Sequence, residues 1–368
     1  MREELRFYAP GFSLKVEGEE PGPRGFICHQ ITVEQSVEAS ARLSFSVFRA
    51  GTEKDLALWL EEALSFFRLG GRVEARAGYG GTRLLIFRGC LTSISYSLSV
   101  DSIGEIHLEA QDFLFLLMKG RALSSRHRGG FSQVRDHEVV RQVVDLYPVF
   151  ERKIIQETEN RHPKVQQKQE EFDYQFLKRL AERNGYLLYS RLDQEEEKTV
   201  FCFVNPEEAH RHGRRHELLF GRELRSFTPQ FDLSGMISRV VVRGWDPMRK
   251  KEIQGQAEAR EGGATEEIRI LWPSPPTLEV SLPVRDRQEA RSRAQALLRK
   301  HRTLLQVEAE SLGLPEIQAG DRVEVKGLPL GRGPGGTALE GAFLVTQATH
   351  QIGEGGYHLR MKLKRGQK

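Results

Sequence analysis

The sequence predicts an α+β, mainly β fold: two small antiparallel β-barrels with an intervening α+β module. Three observations lead there. Apolar and polar side chains alternate with period two near both ends of the chain. Its 35 glycines and 15 prolines punctuate it into many turns. The 3.6-residue helical period is confined to a few stretches. At roughly 150 residues per domain, 368 residues make two or three domains. The pattern changes character twice, so 1–120 reads as a first barrel, 121–225 as the mixed module, and 226–368 as a second barrel with one inserted helix.

In the first block, Leu43, Phe45 and Val47 alternate with Arg42, Ser44 and Ser46, the signature of a half-buried strand. Residues 27–34 form a weaker run of the same kind. A short amphipathic helix is expected over 55–67, where Leu56, Trp59, Leu60, Ala63 and Phe67 share a face. A hairpin follows, 73–77 leading through Gly78-Tyr79-Gly80-Gly81 into 84–91. A strand over 94–100 turns at Asp101-Ser102 into 105–110. Consecutive strands closed by short turns suggest a small barrel.

Residues 120–130 read as a basic exposed loop, and Val139, Val140, Val143, Val144 and Tyr147 mark a helix stopping before Pro148. Residues 151–171 hold five acids and five Lys or Arg with weak periodicity. Asp173 is placed to cap a helix whose Phe176, Leu177, Leu180 and Ala181 share a face, and Gly185 is placed to stop it. Strands are expected at 186–190 and 199–204.

The last third is strand-rich again, with 237–245 paired to 251–256 and further strands at 307–310, 322–326, 343–349 and 357–364. Asp286 with Glu289 three residues later is a capping-box signature, followed by the stripe Ala290, Ala294, Leu297, Leu298 and Leu305.

Lys plus Arg number 55 against 51 for Asp plus Glu, a net charge of +4, which argues against a dedicated nucleic-acid coat. Cys28, Cys90 and Cys202 form no CxxC pair and read as small half-buried hydrophobes in a reducing compartment. The start Met1-Arg2-Glu3-Glu4-Leu5 lacks the apolar core of a signal peptide, and the run 113–118 is far shorter than the ~20 residues of a membrane span. No membrane insertion is therefore expected. His137-Glu138 has Arg141 where a zinc-protease helix needs its second histidine, so it reads as a polar first turn. His210, His212 and His216 sit among Arg211, Arg214 and Arg215, which repel a cation, and read as an exposed loop. The glycine-rich 331–337 lacks the Gly-Lys-Ser/Thr ending of a phosphate loop. The helix from Arg285 carries seven Lys or Arg over 285–302, which suits a solvated face better than a phosphate site. No catalytic residue, cofactor, metal or small-molecule substrate is expected.

Four stretches together resemble the phage late control D family of baseplate hub proteins, which is similar to the N-terminal part of the type VI spike protein VgrG. The first is Val240-Val241-Val242-Arg243-Gly244-Trp245-Asp246-Pro247, in which the resemblance implies that the tryptophan packs before the Asp-Pro turn. The second runs from Phe172 through Phe176, Leu177 and Leu180 to Gly185 and Tyr186, a helix leading into a strand. The third is the C-terminal order of helix, then Gly320-Asp321 before a strand, then 343–350 and the alternating last strand. Gly78-Tyr79, Phe87-Arg88-Gly89 and Ala110-Gln111-Asp112 sit in the family's order near the N-terminus. The loop 331–339 is longer and richer in glycine than the family's hairpin there.

The resemblance implies a structural, non-enzymatic hub of a contractile tail or related injection machine. Such a hub is made in the bacterial cytoplasm and assembled into the particle. It is a homotrimer whose six barrels adapt the sixfold tail tube to a threefold spike, with baseplate wedge proteins as further partners. The chain stops at Lys368, so the resemblance implies a separate spike protein. A nucleic-acid-binding or regulatory protein is the alternative, which the near balance of charge argues against. A tail-associated wall-degrading enzyme is the third reading, for which no inserted enzyme-sized domain is visible.

Overall fold

The computed structural model describes residues 9–49, 56–96, 105–122, 130–232, 237–259, 276–301 and 305–365. The expected stretches at 1–5, 97–104, 123–129 and 302–303 lie outside them.

The fold is mainly β, with a large antiparallel sheet as its spine. Its first strands are β1 (Pro10–Val16), β2 (Phe26–Ile27), β3 (Ile31–Ser36), β4 (Arg42–Arg49), β5 (Arg72–Tyr79), β6 (Thr82–Tyr96) and β7 (Glu105–Asp112). Helix α1 (Leu56–Phe66) interrupts them, burying Trp59 and Ala63 together with the following Phe67 against Phe26 and Phe45. The strands alternate as their sequences demand: in β4, Leu43, Phe45 and Val47 are buried while Arg42 and Ser44 face water.

The middle section contains α2 (Leu114–Lys119), β8 (Phe131–Arg135), α3 (Asp136–Val144), β9 (Arg152–Ile155), β10 (Arg161–Val165), α4 (Asp173–Asn184), β11 (Leu187–Asp193), β12 (Lys198–Val204) and α5 (Pro206–His212). Its core joins α2, α3 and α4 to β11 and β12 through Leu117, Val143, Phe176, Leu180 and Phe201. The charged stretch 151–171 does contain two strands. β9 is hidden from local pattern because it pairs in parallel with the distant β12.

After β13 (Arg215–Leu219) and β14 (Leu224–Phe231) the chain leaves the spine. It makes a separate three-stranded sheet of β15 (Arg239–Asp246), β16 (Lys251–Glu258) and β17 (Thr277–Ser281), covered by α6 (Arg287–His301). What the sequence marks as one inserted helix is thus a helix on its own sheet, with Val240, Val242, Ala290, Ala294 and Leu298 as its core. The chain returns to the spine with β18 (Leu305–Leu312), β19 (Arg322–Lys326), β20 (Gly341–Gly353) and β21 (Gly356–Arg365).

The expected barrels are corrected in one respect. Among the described residues, the pairing order β1-β5-β6-β7-β4-β3-β20-β21-β18-β14 is an open path, and no ring closes. The two strand-rich blocks instead share one 13-stranded sheet. β20 makes the join. One edge pairs with β21, while the other pairs with β19 over 341–344 and with β3 over 347–352. The bulge at Val345/Gln347 bends the strand where it changes partner.

Candidate assembly surface

Three buried carboxylates fix how the parts sit against one another, and each gathers residues far apart in sequence. Asp112, at the end of β7, accepts hydrogen bonds from Ala41 N at 3.0 Å, Leu114 N at 3.1 Å, and the hydroxyls of Ser40 and Ser190. Burial pushes this carboxyl up against those four hydrogen bonds.

Asp321, fully buried before β19, accepts from Arg191 Nη2 at 2.8 Å, Arg214 N at 2.9 Å and Gln318 N at 2.9 Å, with His216 Nε2 at 3.4 Å. Burial alone would raise it, but the Arg191 guanidinium and His216 outweigh burial and hold it below the usual carboxylate range.

Asp136, at the start of α3, takes both arms of Arg183 and Asn184 Nδ2 at 2.7 Å. His162 lies 3.5 Å away and bridges to Glu289 of α6 at 3.8 Å. Burial and the repulsion of Arg293 push Arg183 down to about 10. A desolvated charge is costly unless paired, so each node ties its elements into one geometry.

The residues singled out in the sequence fall into two groups. Asp173, expected as the cap of α4, is instead its first helical residue: it is buried and bonded to Ala122 N at 2.9 Å and Tyr147 Oη at 2.6 Å. Phe172 occupies the cap position under the Arg121 guanidinium, and its N–H donates to Gln175 Oε1. Phe176, Leu177 and Leu180 are fully buried. Gly185 ends the helix at φ 67°, where a Cβ would lie 3.0 Å from Ala296 of α6. Tyr186 is half-buried and donates to Glu157 O at 2.8 Å. Gly320, at φ 91°, leaves room for the Tyr189 ring, so this motif and Asp321 both meet β11.

The other group stands apart. Gly244 faces α6's side of its sheet, because a Cβ there would strike Val284. Trp245 therefore points the other way and is 60% exposed, correcting the expected packing. Asp246 Oδ1 accepts from Met248 N at 2.9 Å and Arg249 N at 3.0 Å, closing the turn at Pro247. His137 and Glu138 stand in the first turn of α3, as expected, and one histidine expectation changes. His137 is buried and accepts from Thr158 N at 2.9 Å. His216 is buried beside Asp321, because β13 pairs in parallel with β19. The side chains of His210 and His212 lie outside the described residues.

Among the described residues, no group of His, Cys, Asp and Glu has the makings of a metal site, and no helix is long and apolar enough to cross a membrane. What the spine presents is a broad polar face. Strand register sets Ser226, Glu310, Arg360, Thr349, Glu34, Arg42 and Gln111 side by side across seven strands. A neighbouring row runs Leu312, His358, Gln351, Thr32, Ser44, Glu109 and Ser93. Opposite charges pair across strands on this face, with Arg360 Nε 3.8 Å from Glu310 and Lys362 Nζ 4.0 Å from Glu308. Such a face stays wet and offers few apolar anchors.

Hairpin β5–β6, the β13–β14 turn, the loop after β18 and hairpin β20–β21 line a cleft of about 630 Å³. Tyr79 spans it, donating to Gly313 O at 2.9 Å and stacking on Tyr357 with ring centroids 6.0 Å apart. Arg191, Asp136 and the cleft carry no local signal, whereas Glu289 is marked by its capping box with Asp286. Arg191 meets Asp321 130 residues along the chain, and Asp136 meets Arg183 47 residues along it.

No curated protein matches the chain in sequence. Among solved structures, the fold is shared with a 43 kDa tail protein of prophage MuSo2 from Shewanella oneidensis (TM-score 0.68, 15% identity, 97% of this chain and 98% of that one). It is also shared with a tail protein from Neisseria meningitidis MC58 (TM-score 0.67, 13% identity, 97% of each chain). A third is the Escherichia coli c3393 protein, a type VI secretion component described as structurally similar to the T4 tail proteins gp27 and gp5 (TM-score 0.60, 13% identity, 96% of this chain and 77% of that one). The family model that matches is not that of the late control D proteins. It is described as the Alg8 N-terminal domain, and because it matches residues 11–354, taking in the spine, the middle section and the inserted sheet alike, this chain belongs to the Alg8 N-terminal domain family.

Proposed function

We propose that the chain is a structural, non-enzymatic subunit of the baseplate hub of a contractile injection machine. It assembles as a homotrimer that adapts a sixfold tail tube to a threefold spike and meets wedge proteins at its periphery. It is made in the bacterial cytoplasm and built into the particle. The observation that carries this reading is the end-to-end likeness of fold to tail proteins, 97% of this chain against 98% of the prophage protein. The motif likeness to late control D hubs points the same way.

The physical features suit the role. Two strand-rich blocks per copy, 1–120 and 226–368 around the module 121–225, give three copies six blocks with which to match a sixfold tube. Buried charge nodes make each copy rigid, as a part transmitting force must be. The polar face, poor in apolar anchors, suits a channel wall past which cargo slides. The elements around Phe172–Tyr186 and Gly320–Asp321 act in folding, and the Gly244–Pro247 turn is free to act outside the copy.

The test is the mass of the purified full chain, alone and with the tube and spike proteins of its own machine, by native mass spectrometry, followed by reconstruction of the particle. Three copies at the tube–spike junction are expected. Monomers alone in every mixture would overturn the reading.

A further inference from the structure

The tip of hairpin β15–β16 leaves two large apolar side chains in water three residues apart: Trp245 at 60% exposure and Met248 at 91%. Tryptophan is the side chain most enriched among those that dominate protein interfaces, and burying one removes ~150–250 Å² from water. The same tip carries Arg249, Lys250 and Lys251 in succession. Its one carboxylate, Asp246, is engaged in the turn, with Oδ2 3.9 Å from Arg249 Nε. Lys250 and Lys251 have no carboxylate partner among the described residues. The tip is an apolar knob with a cationic collar.

The spine carries a matching socket. The cleft beside Tyr79 and Tyr357 has apolar walls that include Leu84, Leu314 and Ile317, and its volume of about 630 Å³ is within the ~300–1,000 Å³ of sites that engulf a drug-sized group. Of the charges at its lip, Glu223 is held by Arg222 at 2.9 Å and Glu217 by Lys326 at 2.8 Å. Glu316 has no cationic partner among the described residues, and Arg225 also lines the cleft.

We infer that the β15–β16 tip of one copy enters this cleft on a second copy, with Trp245 and Met248 against Tyr79, and Lys250 and Lys251 facing Glu316. The two halves cannot be the same copy's, because the tip belongs to the separate three-stranded sheet and none of its residues lines the cleft. Knob and socket are different surfaces, so the contact is head-to-tail and generates a closed ring when its rotation closes. Two side chains fall short of the ~1,200–2,000 Å² of a stable interface, so the knob is the anchor of a larger contact. The inference rests on the homo-oligomeric hub reading and adds which surfaces join.

The test is sedimentation equilibrium and native mass spectrometry of the full chain across concentration, with circular dichroism to check folding. Trp245→Ser with Met248→Ser should leave the fold intact and raise the dissociation constant about thirty-fold or more. Lys250→Glu with Lys251→Glu should weaken assembly, and adding Glu316→Lys should restore it. If the wild type assembles and these variants assemble equally well, the inference falls while the hub reading stands. If swapped charges fail to rescue, the Glu316 contact falls with it. A wild type that never assembles sinks the hub reading itself.

Discussion

At the scale of single residues, the buried titratable groups do structural work. Asp112, Asp136 and Asp321 each gather donors from separate elements, and His350 of β20 is buried against Tyr357 of β21. His350 is fully buried, with Nδ1 2.8 Å from Tyr357 Oη. Burial pushes its imidazole down to about 4, against ~6.5 in an unfolded chain. Above that upper value the ring is neutral in both states and the contribution is fully present. Between the two values the unfolded chain takes up a proton that the folded protein refuses, so stability is lost as pH falls through that window, by on the order of 3 kcal/mol in all. Below it, the loss levels off. His350→Gln keeps an acceptor for Tyr357 but cannot titrate. Urea midpoints measured from pH 4 to 8 should therefore fall more steeply for the wild type than for the variant. The difference isolates His350 from His137 and His162, which burial also lowers. Parallel curves would mean that His350 does not refuse its proton.

At the scale of elements, α4 shows what a sequence makes legible. Its apolar stripe and terminal glycine are local signals, and Gly185 sits in the left-handed conformation that a C-terminal stop requires. Gly185→Ala places a Cβ in that conformation and 3.0 Å from Ala296 of α6. A loss of about 2 kcal/mol is expected. Chemical denaturation of the two proteins measures it, and a change below half that would mean the helix end yields at little cost. The same local logic exposes β4 and β21, where alternation is clean. It misses β9, β13 and β17, because each pairs in parallel with a strand far along the chain. It also misplaces Trp245. Val240, Val241 and Val242 are all apolar, so alternation does not say which face of β15 is buried. Only the packing of Gly244 on Val284 shows that Trp245 points outward. The charge nodes are illegible for the same reason: nothing near Asp321 in sequence announces Arg191.

At the scale of the whole molecule, the decisive feature is the join between β3 and β20. Six residue pairs, from Ile31–Ile352 to Ser36–Gln347, weld the first strand block to the last. Ile352 and Tyr357 complete the first block's core from the far end of the chain. Asp112 and Asp321 then tie the middle section to the first and last blocks. These contacts predict that the first block does not fold alone, although its sequence reads as a barrel of its own. A fragment ending at residue 120 would leave the β3 edge unpaired and the core open where Ile352 and Tyr357 belong. An unpaired edge beside exposed apolar surface templates association. Expressed alone, this fragment should bind a hydrophobic dye and aggregate, while the full chain does neither. Supplying residues 305–368 in trans should reduce both effects, because that segment brings β20 and β21 to the vacant edge. A soluble, monomeric fragment with a dispersed amide spectrum would show that the block closes without β20, and that the weld is an addition to two finished halves rather than a requirement of either.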